Sequence, residues 1–148
     1  MKRLHVHVKV TDLKRAVDFY NSVFAMKPTM IKDDYAKWMV DDPRVNFAIS
    51  TNADSPGVDH LGIQVEDQQE LKDVYARLGS AGRPVLEEGH TTCCYAEQEK
   101  SWITDPDELP WETFQTFGDS AVYGSNDARS NLKKNEKAQK NIKSVCCS

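Results

Sequence analysis

Five side chains in this 148-residue sequence are of types and in positions that carry chemistry: His5, His60, Glu112 and the adjacent pair Cys93-Cys94. Two imidazoles and one carboxylate make a donor set for a divalent ion that leaves coordination positions open, as in the facial triads of non-haem iron(II) oxygenases. Two neighbouring thiolates suit a soft, thiophilic centre. Taken singly, each signal is weak. A strand histidine is ordinarily a surface or satisfied core residue, a strand glutamate ordinarily faces solvent, and a cysteine pair commonly just fills a strand.

The two histidines gain weight from a repeat at an offset of 55 residues. Leu4-His5-Val6-His7-Val8-Lys9-Val10 aligns with Asp59-His60-Leu61-Gly62-Ile63-Gln64-Val65, and the match continues to Asp12 on Asp67 and Tyr20 on Tyr75. Each copy opens with strict alternation, the mark of a half-buried strand. Val6, Val8 and Val10 oppose His5, His7 and Lys9, while Leu61, Ile63 and Val65 oppose His60, Gly62 and Gln64. Both leading histidines thus lie on the face away from the apolar stripe. His7 shares that face but has Gly62 as its counterpart, so it reads as a supporting or surface residue. His90, beside Gly89 in an expected turn, reads as having no role.

An amphipathic helix follows each strand. Thr11 or Asp12 can cap the first, which buries Leu13, Ala16, Val17, Tyr20 and Phe24 at helical spacing. Asp67 can cap the second, whose stripe is Leu71, Val74, Tyr75 and Leu78 before Gly79 and Gly82. Strand-like runs come next: Lys27–Ile31, Tyr35–Val40 and Val45–Ser50, then Pro84–Glu87, Thr91–Thr104 (too long for one regular strand) and Trp111–Phe117. The reading is an α+β domain of two βαβββ modules, about 2–52 and 57–118, with curved sheets around a metal cup and helices outside. Glu112 enters from the last strand, amid Trp111 and Phe114.

In a regular strand, adjacent side chains point to opposite faces, so Cys93 and Cys94 can share a target only at a loop or bulge. The upstream Gly89-His90-Thr91-Thr92 permits one. A trivalent organoarsenical with two exchangeable hydroxyls is such a target: a dithiol displaces both and leaves the As–C bond intact. A structural zinc needs four ligands, and no spaced Cys/His quartet accompanies the pair.

The paired βαβββ modules, the leading histidines and the Asp105-Pro106-Asp107…Trp111-Glu112 ending resemble the vicinal-oxygen-chelate superfamily of glyoxalases, extradiol dioxygenases and bleomycin-resistance proteins. That resemblance implies His5, His60 and Glu112 as metal ligands and catalytic residues. With Thr91-Thr92-Cys93-Cys94-Tyr95-Ala96 between the second histidine and the glutamate, the chain is similar to the organoarsenical carbon–arsenic lyases, which are related to cadmium-induced proteins. This implies an Fe(II)- and O2-dependent enzyme that cleaves the C–As bond of methyl or aryl arsenicals and releases inorganic arsenite, with arsenic held by Cys93 and Cys94. The same ligands also accept Mn, Ni, Co or Zn. Tyr95, Trp102, Phe114 and Trp38 are candidates for the pocket or for the core. Two other readings stay open: a non-catalytic arsenic- or cadmium-binding protein, and a fosfomycin-type thiol transferase. The latter needs cations for a phosphonate, and Arg44, Arg83 and Lys100 are not evidently placed for that.

Composition sets the surroundings. A formal net charge of −4 gives no reason to expect nucleic acid as a partner. No apolar run approaches the roughly 20 residues of a membrane span, and the N-terminus lacks a signal-peptide stretch. The adjacent Cys93-Cys94 and Cys146-Cys147 pairs are poor disulfide staples, so reduced thiols in the cytoplasm are expected. From Asn126 onward, six basic and two acidic residues give +4, leaving −8 for residues 1–125. The domain is therefore expected to span 1–123, followed by a basic, disordered tail over 124–148. A monomer or homodimer acting on a small arsenical and O2 completes the expectation.

Overall fold

The structure, a computed structural model, describes residues 1–51, 55–93 and 95–119, with Cys93 and Asp119 described in backbone only. The expected tail and its Cys146-Cys147 pair lie outside these residues. The first half runs β1 (Arg3–Lys9), α1 (Leu13–Phe24), β2 (Met30–Ile31), β3 (Tyr35–Asp41) and β4 (Arg44–Ser50). The second runs β5 (Gly57–Val65), α2 (Gln68–Gly79), β6 (Leu86–Cys93), β7 (Ala96–Thr104) and β8 (Pro110–Asp119).

The helices form where the caps and stripes call for them. Asp12 caps α1 by accepting from the Arg15 amide at 2.9 Å, and Asp67 caps α2 through the Glu70 amide at 2.7 Å. Such caps contribute about 1 kcal/mol each. Val17 of α1, with Leu13, Ala16, Tyr20 and Phe24, packs on the outward stripe Val6, Val8 and Val10 together with Trp38 and Phe47. Trp38 is thereby a core residue rather than part of a pocket. Leu71 and Val74 of α2 pack in the same way on Ile63 and Val65.

The strand order is β2-β3-β4-β1-β5-β8-β7-β6. Each half repeats one plan, a parallel pair (β1 with β4, β5 with β8) flanked by antiparallel strands. The halves fuse through antiparallel β1–β5 pairing into one eight-stranded sheet. In that pairing His7 faces His60 and His5 faces Gly62. A twofold axis that carries each residue to the one 55 positions on turns one of these pairs into the other. The sequence offset is therefore the register of the central strands.

The sheet curls. Tyr95, between β6 and β7, donates its hydroxyl to Asp34 Oδ1 at 2.7 Å, and its ring lies 5.8 Å from Tyr35. These residues belong to opposite ends of the strand order, and they meet only if the sheet closes on its helix-free face. That face is accordingly interior: His5, His7 and His60 are each at most 5% exposed, more buried than Val6, Val8 and Leu61 of the opposite face.

The second half differs from expectation around β6, which runs Leu86–Cys93 where separate strands at Pro84–Glu87 and from Thr91 were expected. β6 runs continuously through His90, whose ring stacks on Phe117 at 4.9 Å, so His90 is a strand residue rather than a turn. Gly89, at φ 64°, takes up a register shift there. The reversal comes later: Cys93 pairs with Ala96, and Tyr95 adopts φ 62°. The β6–β7 turn thus lies between Cys93 and Ala96.

Candidate metal centre

His5 and His60 meet Nε2 to Nε2 at 3.1 Å across the β1–β5 seam. Two donors each about 2.1 Å from one ion lie about 3 Å apart when they subtend close to a right angle. Glu112 Oε2 completes the set at 3.8 Å from His5 Nε2 and 3.5 Å from His60 Nε2. All three side chains come from one chain, and all are buried. His7, which sequence analysis left outside the set, joins the cluster: one ring nitrogen of each of His5, His7 and His60 lies within 4.8 Å of the others.

The tautomers are fixed from outside. His5 Nδ1 donates to the Asn46 carbonyl at 3.0 Å, and His60 Nδ1 donates to Asp59 Oδ2 at 2.7 Å. Asp59 in turn takes Lys9 Nζ at 2.8 Å. With both Nδ1 atoms committed as donors, the neutral rings turn two bare Nε2 lone pairs toward each other. Only a proton or a cation between them removes that repulsion, and outward Nδ1 bonds of this kind are what orient metal-ligating histidines. Burial, then the neighbouring His60, pushes the His5 pKa down to about 4. Burial also opposes a charged His60, but the Asp59 and Glu112 carboxylates outweigh it and leave its pKa raised. For Glu112 burial opposes ionisation, yet Lys100, His60 and His5 together hold its pKa well below the usual carboxylate range. The anion is kept ready, and the donor set fits a divalent metal.

Local sequence explains how each group arrives. Asp105 Oδ1 accepts from the amides of Asp107 and Leu109, both at 2.9 Å, and this turn delivers the chain into β8 and Glu112. Gly62 lies beside Glu112 in the β5–β8 register, and a Cβ there would sit 2.5 Å from the Glu112 carbonyl oxygen. Asp59 reaches the same side as His60 because the register passes from His7↔His60 to Val8↔Val58, leaving Asp59 as the extra residue of a bulge.

Of the expected aromatic neighbours, Trp102 sits edge-on to His60 at 5.1 Å and Phe114 edge-on to His5 at 5.2 Å. Both are buried. Tyr95 lies at the hairpin, one residue past the cysteine pair. Cys94 and the side chain of Cys93 are outside the described residues. Sequence reasoning missed Asp59, Asn46 and Lys100 as supports. Lys100 Nζ is fully buried, 3.2 Å from Glu112 Oε1 and 3.5 Å from Glu88 Oε2. Of these, only Asp59 had a visible signal, a carboxylate next to a histidine, and strict alternation argued against it.

Residues 2–113 match the family model Glyoxalase/Bleomycin resistance protein/Dioxygenase superfamily, and the chain belongs to that family. Within it, the chain is 42% identical over 124 residues to a protein of Bacillus subtilis named "Probable trivalent organoarsenical cleaving enzyme", covering 82% of this chain and 85% of that one. It is 32% identical over 148 residues to the "Cadmium-induced protein CadI" of Mycobacterium bovis, covering 99% of this chain and 93% of that one. Among solved structures, the 2,3-dioxygenase LapB of Pseudomonas sp. KL28 superposes with a TM-score of 0.60 at 20% identity, over 84% of this chain and 46% of that one. At that identity the likeness speaks to the fold alone.

Proposed function

We infer that this protein cleaves the carbon–arsenic bond of trivalent organoarsenicals, using Fe(II) held by His5, His60 and Glu112 together with O2. The observation that carries the reading is the pair of Nε2 atoms 3.1 Å apart beside Glu112, whose pKa is held well below the usual carboxylate range, in a chain akin to enzymes named for cleaving organoarsenicals. For the methyl substrate the reaction balances as CH3As(OH)2 + O2 giving HCHO + As(OH)3. Oxygen oxidises the carbon, and arsenic leaves as arsenite. A bound Fe(II) supplies the one-electron chemistry that lets O2 react.

The chain's own residues do the rest. Cys93 and Cys94 displace the two hydroxyls of the arsenical as water, forming two As–S bonds and fixing where the carbon substituent sits. Fixing that geometry supplies part of the barrier reduction. Tyr95, next to the cysteine pair in sequence, ties the β6–β7 turn to Asp34 at the far edge of the sheet. Trp102 and Phe114 pack around the histidines and keep water from the donor set. Asp59 and Asn46 hold the imidazoles in their donor tautomers. A thiol transferase acting on a phosphonate fits less well, because Arg44 pairs with Glu66 and Lys100 lies between two carboxylates.

The test uses Fe(II)-loaded protein mixed anaerobically with methylarsonous acid and then exposed to oxygen, with and without Cys93→Ser and Cys94→Ser. The reading expects tight arsenical binding before oxygen, arsenite after it, and loss of both in either serine variant. Tight binding without turnover favours sequestration, and oxygen-independent thiol adducts favour the transferase. Undiminished arsenite release from the serine variants overturns the two-thiol clamp.

A further inference from the structure

The register between the halves gives His7 a place that neither the repeat nor the triad explains. Through the strand pairing, the β1–β4 pair His7↔Ala48 corresponds to the β5–β8 pair Gly62↔Glu112: the inner residues keep the 55-residue offset, and the outer ones, 64 apart, are matched by register alone. In the second half the outer strand β8 sends in the carboxylate, and the inner strand β5 carries glycine to make room for it. In the first half the roles are exchanged. The outer strand β4 carries Ala48, fully buried, and the inner strand β1 sends in His7. The quadrant that symmetry would fill with a second carboxylate is thus lined by an imidazole from the neighbouring strand.

His7 is built like the two ligands beside it. It is 2% exposed, and its ring lies 4.9 Å from that of His60. Its Nε2 meets Ser50 Oγ at 2.9 Å, an outward tie of the kind His5 has to Asn46 and His60 to Asp59. Its Nδ1 is buried with no hydrogen-bond partner among the described residues. An unsatisfied buried polar atom costs on the order of 1–3 kcal/mol, so such atoms call for a partner. One ring nitrogen of His7 lies within 4.8 Å of a ring nitrogen of His5 and of His60, so an ion at that cluster is the nearest candidate partner.

We propose that His7 is a fourth protein ligand to the divalent ion, through Nδ1, making the centre three imidazoles and one carboxylate. The proposal rests on the metal-centre reading above and deepens it. A six-coordinate ion held this way keeps two open positions instead of three. That suits a substrate whose arsenic is carried by thiols and which need not chelate the metal.

Co(II), a stable probe of the same donor set, tests the assignment without turnover. X-ray absorption of the Co(II)-loaded protein counts bound imidazoles, and a parallel titration gives the Co(II) dissociation constant. The proposal expects three imidazoles in the wild type and two in His7→Ala, with affinity weakened at least about 10–100-fold, the range that loss of a supporting group already produces. Two imidazoles in the wild type overturn it, and that count decides the matter even if His7→Ala does not fold. An unchanged dissociation constant in a folded His7→Ala overturns it as well. Failure of the wild type to take up Co(II) at all overturns the metal centre itself, which separates the two claims.

Discussion

Lys100 Nζ stands 3.2 Å from Glu112 Oε1, while the other oxygen of that carboxylate faces the two histidines. The fully buried ammonium thus occupies one oxygen and leaves the other for the donor set. Lys100 also lies 5.2 Å over the Trp102 ring, and Trp102 Nε1 donates to Glu88 Oε1 at 3.0 Å, so the cation is fixed on two sides. Removing one partner of a buried pair leaves an uncompensated charge and costs about 3–5 kcal/mol. Lys100→Met is therefore expected to lower the denaturation free energy of metal-free protein by roughly that amount, with part recovered on adding a divalent ion. Chemical denaturation with and without Co(II) measures both. A loss under about 1 kcal/mol contradicts the placement, being the range of an exposed pair.

Gly62 gives a steric prediction. A Cβ at this position meets Glu112 backbone, which cannot swing aside like a flexible side chain. Gly62→Ala is expected to cost about 1–3 kcal/mol, the range for overpacking, and to weaken metal binding by displacing β8. Gly79→Ala is the control. It ends α2 with nothing within 4 Å of a built Cβ, and helix propensity favours alanine there by up to about 1 kcal/mol. Thermal melts of both proteins and a metal titration of the first check the contrast.

Tyr95→Phe removes the hydroxyl that joins the cysteine hairpin to Asp34. Expected are a stability loss of about 0.5–1.5 kcal/mol, a raised KM for the arsenical and an unchanged metal affinity. An unchanged KM would show that the tie does not position the hairpin. The Asp34 hydrogen bond pushes the Tyr95 pKa up to about 12 from an ordinary 10.0. With the folded value raised, the contribution is whole below pH 10 and is lost as pH rises through about 12. Any change in KM of the wild type between pH 6 and 9 must therefore come from another group.

Metal removal should register in stability. An ion that binds only the folded state stabilises by RT ln(1 + [L]/Kd), about 2.7 kcal/mol at 100 times Kd. Wild-type protein is expected to melt higher with Co(II) than with chelator, and Glu112→Ala to lose most of that difference. Equal shifts in both proteins place the ion elsewhere.

Much of this was legible because strand and helix periods leave simple marks. The capped helices follow from local periods and the relation of His5 to His60 from the 55-residue repeat, whereas Glu112 was singled out by its place in the last strand and by resemblance. What stayed hidden depends on departures from those patterns. Asp59 reaches His60 only through a bulge that breaks alternation. Lys100 sits in the polar run Glu97-Gln98-Glu99-Lys100, which reads as a solvated strand until the sheet curls over it. His7 was read as a supporting or surface residue because its repeat partner is a glycine, and its burial beside His5 and His60 emerges only when the strands are paired and the sheet curls.

The central claim is that one centre, built by His5, His60 and Glu112, uses oxygen to part carbon from arsenic. A single-turnover measurement tests it most directly: anaerobic protein with one equivalent each of Fe(II) and methylarsonous acid receives a pulse of O2, and arsenite and formaldehyde are quantified together. The account predicts equal amounts of the two products from the wild type and none from Glu112→Ala that still binds the arsenical. Bound arsenical that stays methylated after the pulse, or arsenite formed equally well without oxygen, would contradict it.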